Sequence, residues 1–218
     1  IPMILDSAAA LGSTFDSQNL GLSSAEISVL SFNGNKTFTS GGGGSVMTNH
    51  KKIYERINHR STTARIGRDY IHDEVGFNYR MTNLQAAVGV AQLERYEEFI
   101  KKKKFIQSYY VENISLPYAS YKQTSESRID SVRWLSHLYL APNSSISSEK
   151  IFNHLQENNI EARGFWIPMH KQSPYKNCLA NLNGTSEKIY KNLIILPSST
   201  NLEIEHLERV VDTINSLS

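Results

Sequence analysis

The stretch SFNGNKTFTSGGGGSVMTN, from Ser31 to Asn49, places one amine, Lys36, five residues after Ser31 and five before the run Gly41 to Gly44. A lysine on an open turn is a solvated charge. An amine whose base is held at the end of a buried strand can be desolvated, and it then attacks a carbonyl carbon to form an imine. The apolar run Ile27–Phe32 supplies such a base, Gly34-Asn35 supplies the turn, and the small residues around Lys36 leave room for a bulky group. Asp6 is a second candidate. It ends the apolar run Ile1–Leu5, where a carboxylate needs a cationic partner to offset its desolvation.

A lysine that forms a Schiff base, with an aspartate facing a pyridinium nitrogen, is the pattern expected of a pyridoxal phosphate site. A phosphate-binding loop is the rival reading of Gly34-Asn35-Lys36-Thr37. That loop needs glycine immediately before the lysine and again five residues earlier, and here Asn35 and Leu30 occupy those places. The rival is excluded. Four glycines in a row cost backbone entropy wherever they are ordered. They fit either a tight turn beside the lysine or a plain flexible turn.

The rest of the composition narrows the class. The 218 residues suffice for one large domain or two small ones, and 39% apolar with 20% charged residues is ordinary for a globular chain. A net charge of +2 implies no general attraction to nucleic acid or membrane. Cys178 is the single cysteine, so neither an internal disulfide nor a zinc cluster is expected, and the profile is cytosolic. The basic run Lys101–Lys104 reads as a solvated helix end.

Several elements must position these groups. Ile1–Leu5 reads as a buried strand, apolar on both faces, which leads to the expectation that a further segment precedes it. Asp6 to Ser13 reads as a loop turning into a short helical segment. Ile27–Phe32 and Ser45–Thr48 are strands, and Lys51 to about Asn58 is a helix. Ser61 to Arg80 lacks periodicity and reads as a long functional loop. Thr82 or Asn83 caps a helix whose apolar positions are Leu84, Ala87, Val88, Ala91, Leu93 and Ile100, and which runs past Glu98 into the lysines. Ser131–Ala141 alternates like a strand around Trp134, Leu138 and Leu140. Ser147 or Ser148 caps a helix to Gln156, Ile160–Ile167 returns as a strand, and a last helix covers Leu202–Leu217. This succession describes a small α/β domain.

Five blocks, IPMILDSAAALGS, SFNGNKTFTSGGGG, HDEVGFNYRMTNLQAAVGVAQLE, WIPMHKQSPY and LPSSTNLEIEHLERVV, together resemble the DegT/DnrJ/EryC1/StrS family of sugar aminotransferases, in the family's order and across essentially the whole chain. The resemblance implies an α/β chain of the pyridoxal phosphate-dependent transferase fold type I. Residues 1–100 would be the C-terminal part of the large cofactor-binding domain, and residues 101–218 a small C-terminal α/β domain. It implies that Lys36 carries pyridoxal 5'-phosphate and moves the proton between cofactor and sugar carbons. Asp6 would face the ring nitrogen and Ser31 the phosphate, while Asn78 would reach the phosphate bound by a second subunit of a homodimer with shared active sites. His170, and with it Arg163 and Tyr175, would line the substrate side. The amino donor would be glutamate, and the acceptor a nucleotide-linked 4-keto hexose of surface polysaccharide or nonulosonic acid biosynthesis. Within the family, the second and third blocks look most like enzymes leading to legionaminic acid or perosamine.

The sequence departs from that pattern in two ways. Ala9 stands where the family carries Glu or Gln near the cofactor's phenolic oxygen, and Leu5 replaces an acidic residue before Asp6. Family members are also nearly twice as long, and this sequence matches their second half. The chain alone is therefore not expected to be a competent enzyme unless the other half is supplied in trans. A truncated, catalytically incompetent interaction module is the alternative. A generic α/β ligand-binding domain would leave the five ordered blocks to chance. Retention of Lys36 favours amination over the dehydratases of the same family, in which that lysine is replaced.

Overall fold

A computed structural model describes residues 1–19, 25–116, 128–141 and 144–217. The chain divides into two compact units, Ile1–Ile100 with Glu126–Trp134, and Lys101–Ser125 with Leu135–Ser218. The return of Glu126–Trp134 to the first unit has no signature in the sequence.

In the first unit β1 (Ile4–Asp6), β4 (Ile27–Ser31) and β5 (Gly44–Met47) form a sheet in the order β1-β4-β5. β1 runs parallel to β4, with Asp6 opposite Val29, and β4 pairs antiparallel with β5, with Ser31 opposite Gly44. The expectation of a buried first strand is corrected. Ile1, Met3 and Ile4 are all exposed, because β1 is an edge with no further described strand beside it. The expected helical segment after Asp6 is instead a pair of turns, closed by Ala10 N–H to Ser7 O at 3.0 Å and Ser13 N–H to Ala10 O at 2.8 Å. β2 (Thr14–Phe15) pairs with β3 (Gln18–Asn19) on one side and with β8 (Ile129–Asp130) on the other.

Helix α1 (Lys51–Ser61) leads into an arm that holds the small hairpin β6 (Arg65–Ile66) and β7 (Ile71–His72). Helix α2 (Asn83–Leu93) starts at a capping box. Thr82 Oγ1 accepts from Gln85 N–H at 3.3 Å, and the Gln85 side chain accepts from Thr82 N–H at 3.2 Å. The expected single long helix is broken at Glu94-Arg95 into α2 and α3 (Tyr96–Asn113). Leu84, Val88 and Leu93 are exposed, and the buried residue of α2 is Gly89, which packs on Phe38 and Ser40.

The second unit holds the larger core. β9 (His137–Tyr139), β10 (Arg163–Gly164) and β11 (Leu193–Ile195) form an antiparallel sheet in the order β10-β11-β9. Against it pack α4 (Ser148–Glu157) and α6 (Ile204–Asn215), and α5 (Thr185–Asn192) precedes β11. Ile106, Leu138, Ile151, Leu155, Ile194, Leu207 and Ile214 are buried together. The spacing of Ile151 and Leu155, and of Leu207, Val210, Val211 and Ile214, puts one stripe of each helix into this core. Ser147 caps α4 by accepting from Lys150 N–H at 3.1 Å. The two strands expected at Ser131–Ala141 and Ile160–Ile167 are shorter than their apolar patterns, and the lysine run is not a solvated helix end. It lies inside α3, where Lys103 is buried and donates to Ser198 O at 2.6 Å.

Candidate active site

The hairpin of β4 and β5 carries Lys36 in a loop whose base is closed by backbone bonds. Phe32 N–H donates to Gly43 O and Ser40 N–H donates to Phe32 O, both at 3.0 Å. Inside the loop, Lys36 N–H donates to Asn33 O at 3.0 Å. Phe38 is buried and meets Phe32 edge to face at 4.9 Å between ring centres, so the loop has a small apolar floor of its own.

The four glycines separate by role. Gly41 and Gly43 have φ of +79° and +81°, a region that side chains other than glycine adopt at a cost. Gly44 lies so near β4 that a Cβ would sit 2.3 Å from Leu30 O, while Gly42 has ordinary space. The run is therefore an ordered turn that returns the chain tightly against the strand that ends before Lys36, and the flexible-turn alternative falls.

Parallel β1 and β4 present their carboxyl ends at Asp6 and Ser31, the end at which open α/β sheets bind ligands. The expected desolvation of Asp6 is corrected: Asp6 is exposed, since β1 is an edge, and its Oδ1 accepts from Ala8 N–H at 3.0 Å while Ser7 N–H donates to Val29 O at 2.9 Å and ties the strand end to β4. Ser7 Oγ, next to it, is buried and has no hydrogen-bond partner among the described residues. Lys36 is half-buried. Burial pulls its pKa below the ordinary lysine value, and the charge of Asp6 opposes part of that. Ser31 Oγ sits at the mouth of the same hairpin and accepts at 3.4 Å from Asn33 N–H.

Trp134 completes the surroundings of Lys36, and the sequence offered no sign of it beyond a place in an alternating run. Lys36 Nζ lies 3.8 Å from the centre of its ring, and its Nε1–H donates to Asn35 O at 2.6 Å. Asn78 stands apart from this group, on the arm. Its backbone bridges Thr62, its side chain is exposed, and no described contact joins it to Lys36. The arm is nevertheless ordered. His59 Nε2 and Asp73 Oδ1 are 2.6 Å apart, Arg60 pairs with Glu74, and Phe77 N–H donates to Arg60 O at 2.7 Å. Gly76 lets the arm close on itself, since a Cβ there would lie 2.2 Å from the Thr63 carbonyl carbon.

The three weaker candidates lie in the second unit. His170 Nε2 meets Glu187 Oε1 at 2.7 Å, both half-buried. The Glu187 carboxyl titrates below its usual range, chiefly through its own backbone N–H and also through His170. Arg163 is exposed and paired with Glu161 at 2.5 Å, and Tyr175 is exposed on the short 3-10 turn Ser173–Tyr175. Among the described residues there is no cluster of metal-ligating side chains and no helix long and apolar enough to cross a membrane.

Comparison with known proteins decides the assignment. The profile of the DegT/DnrJ/EryC1/StrS aminotransferase family matches residues 1–215. The chain belongs to that family. It is 34% identical over 214 residues to GDP-perosamine synthase of Escherichia coli O157:H7, covering 98% of this chain and 57% of that protein. A GDP-perosamine synthase of Vibrio cholerae is 37% identical over 179 residues, covering 80% of this chain and 47% of its own length. The chain thus spans about half the length of the curated relatives it matches. Among solved structures, the aminotransferase TlmJ from Streptoalloteichus hindustanus superposes with a TM-score of 0.88 at 19% identity, over 99% of this chain and 58% of that one. Helicobacter pylori PseC, an aminotransferase involved in the biosynthesis of pseudoaminic acid, superposes with 0.85 at 22% identity, over 99% and 59%. The fold is accordingly that of the fold type I pyridoxal phosphate-dependent transferases, with part of the large-domain sheet present.

Proposed function

We propose that this family member is the lysine-bearing part of a pyridoxal phosphate-dependent nucleotide-sugar aminotransferase. It takes an amino group from glutamate and delivers it to a nucleotide-linked keto hexose, a 4-keto sugar of surface polysaccharide or nonulosonic acid biosynthesis. The relatives named GDP-perosamine synthase support that substrate class. The protein works in the cytoplasm as a homodimer with shared active sites. The exposed apolar side chains of α2 and the ordered arm around Asn78 support an assembled state.

The observation that carries the reading is Lys36 itself, an amine with its pKa lowered by burial, on a closed loop, within the field of a fixed carboxylate. The residues present fit the cofactor. They offer that amine, the Asp6 carboxylate, the Ser31 hydroxyl and the buried, unpartnered hydroxyl of Ser7 beside Asp6. When bound, pyridoxal phosphate supplies the carbonyl that carries nitrogen and the ring that accepts electrons. Lys36 Nζ would hold it covalently and, once released, would carry the proton between the cofactor and sugar carbons. Asp6 would face the ring nitrogen with negative charge and so favour its protonated form. Ser31 Oγ–H would donate to the phosphate, and Asn78 would reach the phosphate bound by the second subunit. His170, Arg163 and Tyr175 serve the sugar side, with Glu187 orienting the His170 ring. Ile1–Ile100 with Glu126–Trp134 are then the cofactor-bearing part, and Lys101–Ser125 with Leu135–Ser218 the small domain.

The test is an absorbance spectrum of the chain with pyridoxal phosphate, followed by borohydride reduction and mapping of the modified lysine. A long-wavelength band with label on Lys36, absent in Lys36→Ala, is expected. Label scattered over surface lysines would leave the second reading, an interaction module without catalysis, which Ala9 and the match to only part of the relatives' length favour.

A further inference from the structure

We propose that Trp134 is a positioning residue for Lys36, a ring that the fold brings from far along the chain to hold the Nζ group in place before a carbonyl compound reaches it. The inference rests on the reading of Lys36 as the reactive amine.

Four observations carry it. The ring centre lies 3.8 Å from Lys36 Nζ, well inside the distance at which an indole face attracts an ammonium. The indole is fixed from its edge, because Nε1–H donates at 2.6 Å to the carbonyl of Asn35, the residue that adjoins Lys36. Ring and amine are thus tied to the same turn. The segment that delivers Trp134 is anchored to the first unit twice, by pairing of β8 with β2 and by Val132 N–H donating to Ser13 Oγ at 3.0 Å. Finally, Arg133 has φ of +59°, a left-handed conformation that a non-glycine residue adopts only when its surroundings impose it. That local cost sits immediately before Trp134 and redirects the chain there.

The physical consequence is specific. Burial weakens the ammonium form of Lys36 and the Asp6 charge supports it. The indole face adds a second support, and it does so without a counter-charge that would compete for the proton. Trp134 therefore holds the free Lys36 amine charged and oriented before a carbonyl compound arrives, and the amine leaves the ring face when it loses its proton and turns to that carbonyl.

The experiment is reductive methylation of the 218-residue chain with formaldehyde and cyanoborohydride from pH 6 to 10, with the rate at each lysine read by peptide mapping. Lys36 is followed in the wild type and in Trp134→Leu, Trp134→Met and Trp134→Phe. Leu and Met keep the site apolar and remove the ring, so the midpoint of the Lys36 profile falls by about half a pH unit or more, roughly three-fold faster labelling at a fixed pH below it. Phe keeps a ring face, loses the bond to Asn35 O, and stays nearer the wild type. Hydrogen exchange at the Phe32 and Ser40 amides, which close the base of the Lys36 loop, is the gauge of folding in the first unit, since both exchange freely only if that unit opens. Met provides the reading if Leu deprotects these amides.

Profiles of Lys36 that superimpose in all variants, with the Phe32 and Ser40 amides protected, overturn the inference. The functional reading fails separately. In that case pyridoxal phosphate does not label Lys36 in the wild type at all, whatever the position of the methylation midpoint.

Discussion

Lys103→Met should remove a pH dependence of stability that the wild type shows between pH 7.5 and 9.5. The Lys103 amine, ordinarily titrating near 10.5, is pushed down to about 8 by burial on α3. Its Nζ donates to Ser198 O at 2.6 Å, in a segment also held by Tyr110 O–H donating to Pro197 O at 2.9 Å and by Ser198 Oγ accepting from Ser136 N–H at 2.8 Å. The unfolded chain keeps this proton up to about pH 10.5, whereas the folded chain releases it near 8, so stability rises with pH across that window. At 1.36 kcal/mol per pH unit of displacement, burying the charged form costs about 3 kcal/mol at neutral pH, and about 2 kcal/mol of that is recovered by pH 9.5. Methionine deletes the charge and leaves Ser198 O without this donor, a loss of about 1–3 kcal/mol. The variant should therefore match the wild type within about 2 kcal/mol at pH 7.5 and fall behind by about 2 kcal/mol more at pH 9.5. Urea unfolding followed by far-ultraviolet circular dichroism at the two pH values reads this, with exposed Lys101→Met as the control. Parallel behaviour of wild type and Lys103→Met would refute the argument that burial depresses this amine.

Two further outcomes follow from the hairpin and the cap. Gly44→Ala should destabilise the first unit by about 1–3 kcal/mol, because its Cβ meets the β4 backbone, while Gly42→Ala is tolerated. Thermal melts, together with retention of the Lys36 label, distinguish the two. Thr82→Ala should cost about 1 kcal/mol by opening the capping box of α2, and hydrogen exchange at the first turn of that helix should speed up.

Much of the fold was legible because it is written in local pattern. The runs around Leu30 and Val46 alternate or bury as strands do, Ser147 and Thr82 sit where caps belong, and the 3.6-residue stripes of α4 and α6 point to one core. The same logic failed at α2. There the apolar stripe Leu84, Val88 and Leu93 faces outward and a glycine makes the close contact, since periodicity tells that a helix has an apolar face but not what lies against it. It failed at β1 for the same reason. An apolar strand reads as buried, yet burial depends on a neighbour, and on the described chain β1 is an edge.

The candidate site divides along the same line. Lys36, Ser31, the turn and the glycine run are close in sequence, so spacing alone could single out Lys36 as a candidate, and the ordered blocks were enough to name the family. The pairing of β1 with β4, which sets Asp6 against the lysine hairpin, and the return of residues near 130, which lays Trp134 over the amine, were decided only by tertiary structure. So was the burial of Lys103 within a run that looks solvated. Each of these depends on groups distant in sequence meeting in space, and the charge state of an amine is set by what surrounds it there, not by the residues beside it in the chain.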